Sequence, residues 1–502
     1  MVFVPTLELS IFAQRTSHIA TPTLPALLFN SLEFAVFLII VWVLYWKVFQ
    51  RKLVQQNAFL VVVSYLFYGW WDYRFLGLIF LSSLVDYFVS QRIYGTDNKT
   101  HKKRWLWVSI SINLGILIFF KYFNFFADSF ESLLGYFGLH ADPFTLTILL
   151  PVGISFYTFQ TLSYTVDVYR GQLEPETSPV NFFAFVSFFP QLVAGPIERA
   201  SRLLPQFRKS RTFDYQTSVD GLRQMLWGFV KKVVIADSFA PSVEYIFDHH
   251  GELGGAALFL GGMFFLIQVY GDFSGYSDIA LGTAKLFGFR LMVNFDKPFF
   301  SQNFTEVWRR WHISLGSWFR DYVYIPLGGN RHGRFRKTLY LSLTLILMAF
   351  WHGASWNMIL WGVILCIYQL PNFYFTRIRA RYQIQNLYLL RAVQGVRIVL
   401  TFLLFGYSLI IFRATSFWGG IHHYVRIFQS ADWWVIPEEL QGNYHGWFFL
   451  GLIVFEALTF KQEHPLVLTR VPRPLRWLLY IGLSWLVVSY FDHQASFIYF
   501  QF

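Results

Sequence analysis

An all-α, polytopic membrane protein is the fold class this chain predicts, and three observations predict it. Of 502 residues, 55% are hydrophobic and only 14% are charged, whereas soluble domains carry about 25% charged residues. Mean hydropathy is +0.42. The Lys and Arg behind a formal charge of +12 fall in short clusters between long apolar runs, which is the pattern of cytoplasmic loops and not of a nucleic-acid-binding face.

A spanning helix needs roughly 20 mostly apolar residues, and on that measure about 11 to 13 transmembrane helices are expected among fourteen apolar segments, some of which are re-entrant or interfacial. They lie near 27–46, 57–71, 75–91, 105–126, 144–166, 181–194, 222–240, 254–271, 272–288, 338–352, 355–371, 392–413, 446–461 and 476–492. Basic clusters at 47–52, 92–104, 199–211, 331–337 and 377–382 mark the cytoplasmic side. Alternation then puts the loops at 72–74, 127–143, 248–252 and 431–444 outside. Between Asp167 and Lys297 the alternation fails, which predicts short or broken helices lining protein or a water-filled cavity.

Residues 1–27 lack a basic region followed by a long apolar stretch, so they read as an extension expected to be disordered and not as a signal peptide. Residues 28–502 form one transmembrane domain, with no internal repeat and no separate soluble unit. The one cysteine, Cys366, excludes an intrachain disulfide and a cysteine-based metal site. No metal is expected.

Three polar groups interrupt this apolar chain. Asn303 to Tyr322 has a helical period that puts Phe304, Trp308, Trp311, His312, Leu315, Phe319 and Tyr322 on one side. Glu306, Arg309, Arg310, Ser314, Ser317, Arg320 and Asp321 take the other, as in an interfacial amphipathic helix. His312 is thus turned away from the charges, where a satisfied core histidine is the plain alternative to a catalyst. His352 follows the basic cluster ending at Lys337 by fourteen mostly apolar residues. That is some 20 Å of helix into a hydrocarbon core of about 30 Å. An ionisable group at that depth is costly and points to function; a packing histidine bonded to a carbonyl is the alternative. The small residues Gly353, Ala354 and Ser355 allow close approach beside it. In YGDFSGYSDIALG, Tyr270 to Gly282, the residues Asp272, Ser274, Tyr276, Ser277 and Asp278 interrupt the apolar context, and the two carboxylates either orient a histidine or receive a sugar, or are ion-paired structural groups. No phosphate-binding loop, H-E-x-x-H or G-x-S-x-G pattern occurs, so nucleotide hydrolysis, metalloprotease and α/β-hydrolase chemistry lose their usual support.

VWRRWHISLGSWFRDYVYIPLGGNR (Val307 to Arg331) followed by FWHGASW (Phe350 to Trp356) resembles the membrane-bound O-acyltransferase family, in its alginate O-acetyltransferase branch. PVGISFYTFQTLSYTVDVYRG, FFPQLVAGPIERAS and YGDFSGYSDIALGTAKLFGF resemble further blocks of that family in the same order, and the likeness runs from about Leu28 to Phe502. LFNSLEF, from Leu28, resembles the usual start of these proteins, and Gly316 stands where a serine is common.

The resemblance implies a ring-like bundle of helices around a central funnel, with His352 as the principal catalytic residue and His312 as the second active-site position. Asp272, Ser274, Tyr276, Asp278, Trp311, Arg320, Asp321 and Asn330 are candidate substrate-binding or supporting residues. The implied reaction moves an acyl group, most simply acetyl, from a cytoplasmic thioester toward an extracytoplasmic polysaccharide. The donor, acetyl-coenzyme A or a phosphopantetheine carrier, is a substrate; no bound cofactor is implied. A periplasmic or anchored partner of serine-hydrolase type finishes the transfer, and the site is the bacterial inner membrane. Arg309, Arg310 and Arg320 either attract donor phosphates or serve as positive-inside anchors. D-alanyl transfer to teichoic acid, a lipid-linked sugar transporter and a non-catalytic export scaffold are the competing functions.

Overall fold

Apolar runs with basic ends fold here into helices, and among the described residues no strand forms. The computed structural model describes residues 29–139, 146, 148–192, 195–374, 385–440, 445–491, 495 and 497–498. The expected extension 1–27 and the basic cluster 377–382 lie outside them.

Helix α1 (Leu32–Lys47) starts where the Ser31 hydroxyl accepts from the Phe34 amide at 3.1 Å. α2 (Leu53–Asp72) and α3 (Leu76–Tyr94) join through a single turn at Asp72, whose carboxylate accepts from the Arg74 amide at 2.9 Å. α4 (Lys99–Leu117) runs through a π-turn, Ile118–Tyr122, into α5 (Phe123–Tyr136). α6 (Ile154–Tyr169) is buried on nearly every face, against α3 and α4.

Broken elements follow, as the failed alternation predicts: α7 (Pro179–Ser187), α8 (Phe189–Leu192) and α9 (Ala200–Phe207). α10 (Tyr215–Phe229) continues through a second π-turn, Val230–Ala236, into α11 (Asp237–Asp248). α12 (Gly255–Leu286) is one helix of 32 residues. It replaces the two spans expected at 254–271 and 272–288, because the charges that suggested a break are neutralised by a neighbouring helix.

α10 and α12 pass very close to each other. A Cβ on Gly228 would lie 2.6 Å from the Gly275 carbonyl oxygen, and one on Gly221 would lie 2.7 Å from that of Gly282. This is the small-residue packing that lets helices associate where lipid supplies no hydrophobic drive.

The expected single helix over Asn303 to Tyr322 is two: α13 (Phe304–Arg310) and α14 (Ile313–Phe319), broken at His312. α15 (Gly333–His352) and α16 (Trp356–Tyr374) pack as a pair, followed by α17 (Leu387–Arg413), α18 (Phe417–Gln429), α19 (His445–Leu458) and α20 (Arg473–Ser489).

Among the described residues four helical stretches are long and apolar enough to cross a membrane: Leu53–Tyr94, Lys99–Tyr136, Gly255–Leu286 and Leu387–Arg413. The first holds two of the expected spans, 57–71 and 75–91. Other expected spans are shorter helices, such as the 16 residues of α1 and the 17 of α20. Val36, Ile39, Ile40 and Val43 stand exposed along α1, and Leu478, Ile481, Trp485 and Val488 along α20. Apolar stripes of this extent are at home in lipid. The protein is a multi-pass, all-helical membrane protein.

Candidate active site

α15 ends on His352 because Gly353 turns the backbone to an extended conformation, φ −157° and ψ 143°. The last carbonyls of any helix lack intrahelical partners. Here they are met from the π-turn: Lys121 Nζ donates to the carbonyls of Trp351 (2.7 Å) and His352 (3.1 Å), and the Tyr122 hydroxyl donates to that of Phe350 (3.3 Å). The buried imidazole of His352 lies among aromatic rings, with centroids at 5.0 Å (Trp351), 5.7 Å (Trp361) and 5.6 Å (Phe412).

His312 occupies the break between α13 and α14 in a left-handed conformation, φ 44° and ψ 53°. Such backbone costs about 1–3 kcal/mol and persists only where the surroundings hold it. The Ile313 amide donates to the Asn294 carbonyl at 2.9 Å, and the Trp311 amide to that of Val307 at 2.7 Å. The Asn294 side chain accepts from the Ser314 hydroxyl (2.6 Å) and donates to that of Ser277 (3.1 Å), while the Ile197 amide donates to Ser314 (3.1 Å). α14 is fixed further by Trp318, whose ring stacks on Phe159 at 3.8 Å and whose indole N–H donates to the Phe159 carbonyl at 2.9 Å.

The break turns His312 inward. The two imidazoles, 40 residues apart in the chain, have ring centroids 6.1 Å apart. Phe273 of α12 meets His312 edge-on at 4.7 Å, and Trp351 lies 6.0 Å from it. His312 is 2% exposed and His352 7%, so a small polar group held beside both rings is shielded from bulk water.

The other candidate residues fall into two groups. Asp272 is ion-paired: Lys232 Nζ lies 2.7 Å from it and 2.7 Å from Asp237, and the Ile498 amide donates to its second oxygen at 2.7 Å. Asp278 pairs with Lys231 at 2.5 Å and accepts from Gln224 at 2.8 Å. Tyr276 donates to the Asn30 side chain at 2.8 Å and packs on Phe497; Ser274 is buried on the same helix. Trp311 is buried against Phe295 and Phe405. Ser274 and Asp278 also line a small cavity with Lys231, Tyr270 and Asn294.

Arg320, Asp321 and Asn330 have partners of their own. Arg320 pairs with Asp321 at 2.7 Å, Asp321 also takes Arg199 at 3.2 Å, and Asn330 accepts from the Tyr324 hydroxyl at 2.7 Å. Arg310 is paired with Glu306 at 3.1 Å and Arg309 is exposed. Asn294, Lys231, Lys232 and Lys121 are the contributors that sequence reasoning passed over. Lys231 and Lys232 were visible as an adjacent pair, and Lys121 as a lone cation, inside apolar runs; Asn294 carried no signal. Among the described residues no cluster of His, Cys, Asp or Glu suits a metal ion.

Two buried imidazoles with ring centroids 6.1 Å apart in a helical membrane protein form a dry, polar pair, and comparison with known proteins shows the class of protein that carries it. The family model for MBOAT, the membrane-bound O-acyltransferases, matches residues 173–415, which include both histidines. A probable alginate O-acetylase of Azotobacter vinelandii is 39% identical over 423 residues, covering 83% of this chain and 82% of that protein. Its counterpart in Pseudomonas putida is 44% identical over 309 residues, covering 61% and 63%. A peptidoglycan O-acetyltransferase of Helicobacter pylori is 35% identical over 334 residues, covering 61% and 62%. The chain belongs to the membrane-bound O-acyltransferase family and is an acyltransferase.

Proposed function

We propose that the protein O-acetylates an exported bacterial polysaccharide across the inner membrane. The observation that carries this reading is the facing pair His312 and His352, buried among aromatic rings at 6.1 Å. The similarity to alginate and peptidoglycan O-acetyltransferases supports acetyl as the group and a polysaccharide as the destination.

The donor is a thioester, on coenzyme A or a phosphopantetheine carrier, arriving from the cytoplasmic side. His352 in its neutral form accepts the proton of the attacking hydroxyl as the C–O bond forms at the thioester carbonyl. His312 donates a hydrogen bond to the carbonyl oxygen as charge develops there. Collapse breaks the C–S bond, and the departing thiolate takes the proton from His352. The acceptor hydroxyl belongs to the polymer or to a serine-hydrolase-like partner that passes the acetyl group onward.

His352→Ala and His352→Gln should insert and accumulate normally while acetyl transfer falls by about 10²–10⁴-fold. His312→Ala should lose about 10²-fold or more. The measurement is acetyl content of the exported polymer beside thioester consumption by detergent-purified protein; wild-type acetylation by the His352 variants would overturn the reading.

A further inference from the structure

Among the described residues, the lysines buried in helices are paired with carboxylates, and the half-buried Lys121 is not. Lys231 meets Asp278, Lys232 meets Asp237 and Asp272, and Lys285 meets Asp220 and Glu463. Lys121 lies within the apolar stretch Lys99–Tyr136, and among the described residues no carboxylate forms an ion pair with it. A cation inside a membrane span is costly and calls for a specific use. Its ammonium instead meets the carbonyls of Trp351 and His352, at the C-terminal end of α15, where the helix dipole is negative.

Two features make this more than a chance contact. The π-turn Ile118–Tyr122 inserts an extra residue into the helical repeat, and adjacent residues of it, Lys121 and Tyr122, cap three successive carbonyls, Phe350, Trp351 and His352. The same segment grips the side chains of the α15 end: Tyr122 lies 4.8 Å from the Phe350 ring, Phe125 5.3 Å from it, and Lys121 Nζ 5.5 Å from the centre of the Trp351 ring. Trp351 itself touches both histidines, at 6.0 Å from His312 and 5.0 Å from His352.

We infer that Lys121 is a positioning residue of the acyl transfer: held in the π-turn, it pins the end of α15 so that the His352 ring stays in register with His312. The inference rests on the catalytic reading of His352. A misplacement of about 1 Å at a reacting group costs as much as 100-fold, and loss of the cap frees the carbonyl of the very residue that carries the imidazole.

The test compares Lys121→Met, which keeps the side-chain volume without donors, with Lys121→Arg, which keeps them. Transfer by purified protein is measured per folded molecule, with kcat separated from KM for the thioester. Lys121→Met should lose about 10- to 100-fold in kcat with KM within about twofold, and Lys121→Arg should recover most of the loss. A purely structural role would lower the folded fraction and leave kcat per folded molecule unchanged. If Lys121→Met fails to accumulate, Lys121→Leu, which also lacks donors, is held to the same criterion. The inference is overturned if the neutral variant keeps kcat within about twofold of wild type, or if arginine does no better than methionine. His352→Ala is assayed in parallel: activity in that variant overturns the catalytic reading itself, whereas an inactive His352→Ala beside a fully active Lys121→Met overturns only the role of Lys121.

Discussion

Replacing Lys232 by Met tests whether Asp272 serves structure or chemistry. The Lys232 ammonium is fully buried and makes three contacts, to Asp237 at 2.7 Å, Asp272 at 2.7 Å and the Ala495 carbonyl at 2.9 Å. Its removal strands two buried carboxylates; Asp272 keeps the Ile498 amide. Breaking a buried pair in this way costs about 3–5 kcal/mol, which is roughly a 150- to 4,000-fold shift in the folding equilibrium. Against a total stability of about 5–15 kcal/mol, that is a large share. In the triple variant Lys232→Met, Asp237→Asn, Asp272→Asn no charge is stranded, and most of the loss should return. The assays are thermal melting in detergent and protease cleavage of the segment bearing Ala495 and Ile498. Lys232→Met should melt several degrees lower and expose that segment, and the triple variant should restore both. An unchanged melt with a protected segment would refute the structural account, as would an Asp272→Asn protein of wild-type stability that has lost transfer.

Other perturbations probe the scaffold behind His312. Asn294→Leu removes the groups that meet Ser277 and Ser314, leaving Ser314 only the Ile197 amide; unmet hydrogen-bonding groups on buried hydroxyls cost about 1–3 kcal/mol each, and transfer should fall further than the melt suggests, because the left-handed turn at His312 keeps its main-chain brace and loses its side-chain one. Retention of full activity would detach Asn294 from the site. Gly275→Val drives a Cβ to 2.8 Å from the Gly228 carbonyl oxygen and 2.9 Å from the Lys232 amide nitrogen, both backbone atoms. Overpacking of this kind costs about 1–3 kcal/mol. Since Gly228→Val invades the same gap, 2.6 Å from the Gly275 oxygen, the double variant should be less unstable than the sum of the singles; additive melts would show that the helices do not share that contact.

What could be read from the chain, and what could not, divides along one physical line. The helical distance from Lys337 to His352 followed from the fourteen mostly apolar residues between them, because helix rise is constant along an unbroken helix, and α15 is unbroken from Gly333 to His352. The same reasoning failed at His312, where a wheel drawn over Asn303 to Tyr322 assumes continuous helical backbone. One left-handed residue resets the phase of everything after it, and because that residue is not glycine, no turn signal announced it. Charges in apolar context misled in the opposite direction. Asp272 and Asp278 looked like an interruption between two spans, yet α12 runs through them because Lys231 and Lys232 approach from the π-turn after α10. The compensating residues were visible in VKKVVIAD, as Lys121 was in FFKYF, but periodicity treats each segment alone, and ion pairs join segments. Intramembrane charges therefore have to be read as a set: Asp272 and Asp278 find their lysines, and Lys121, which meets helix-end carbonyls in place of a carboxylate, leads back to His352.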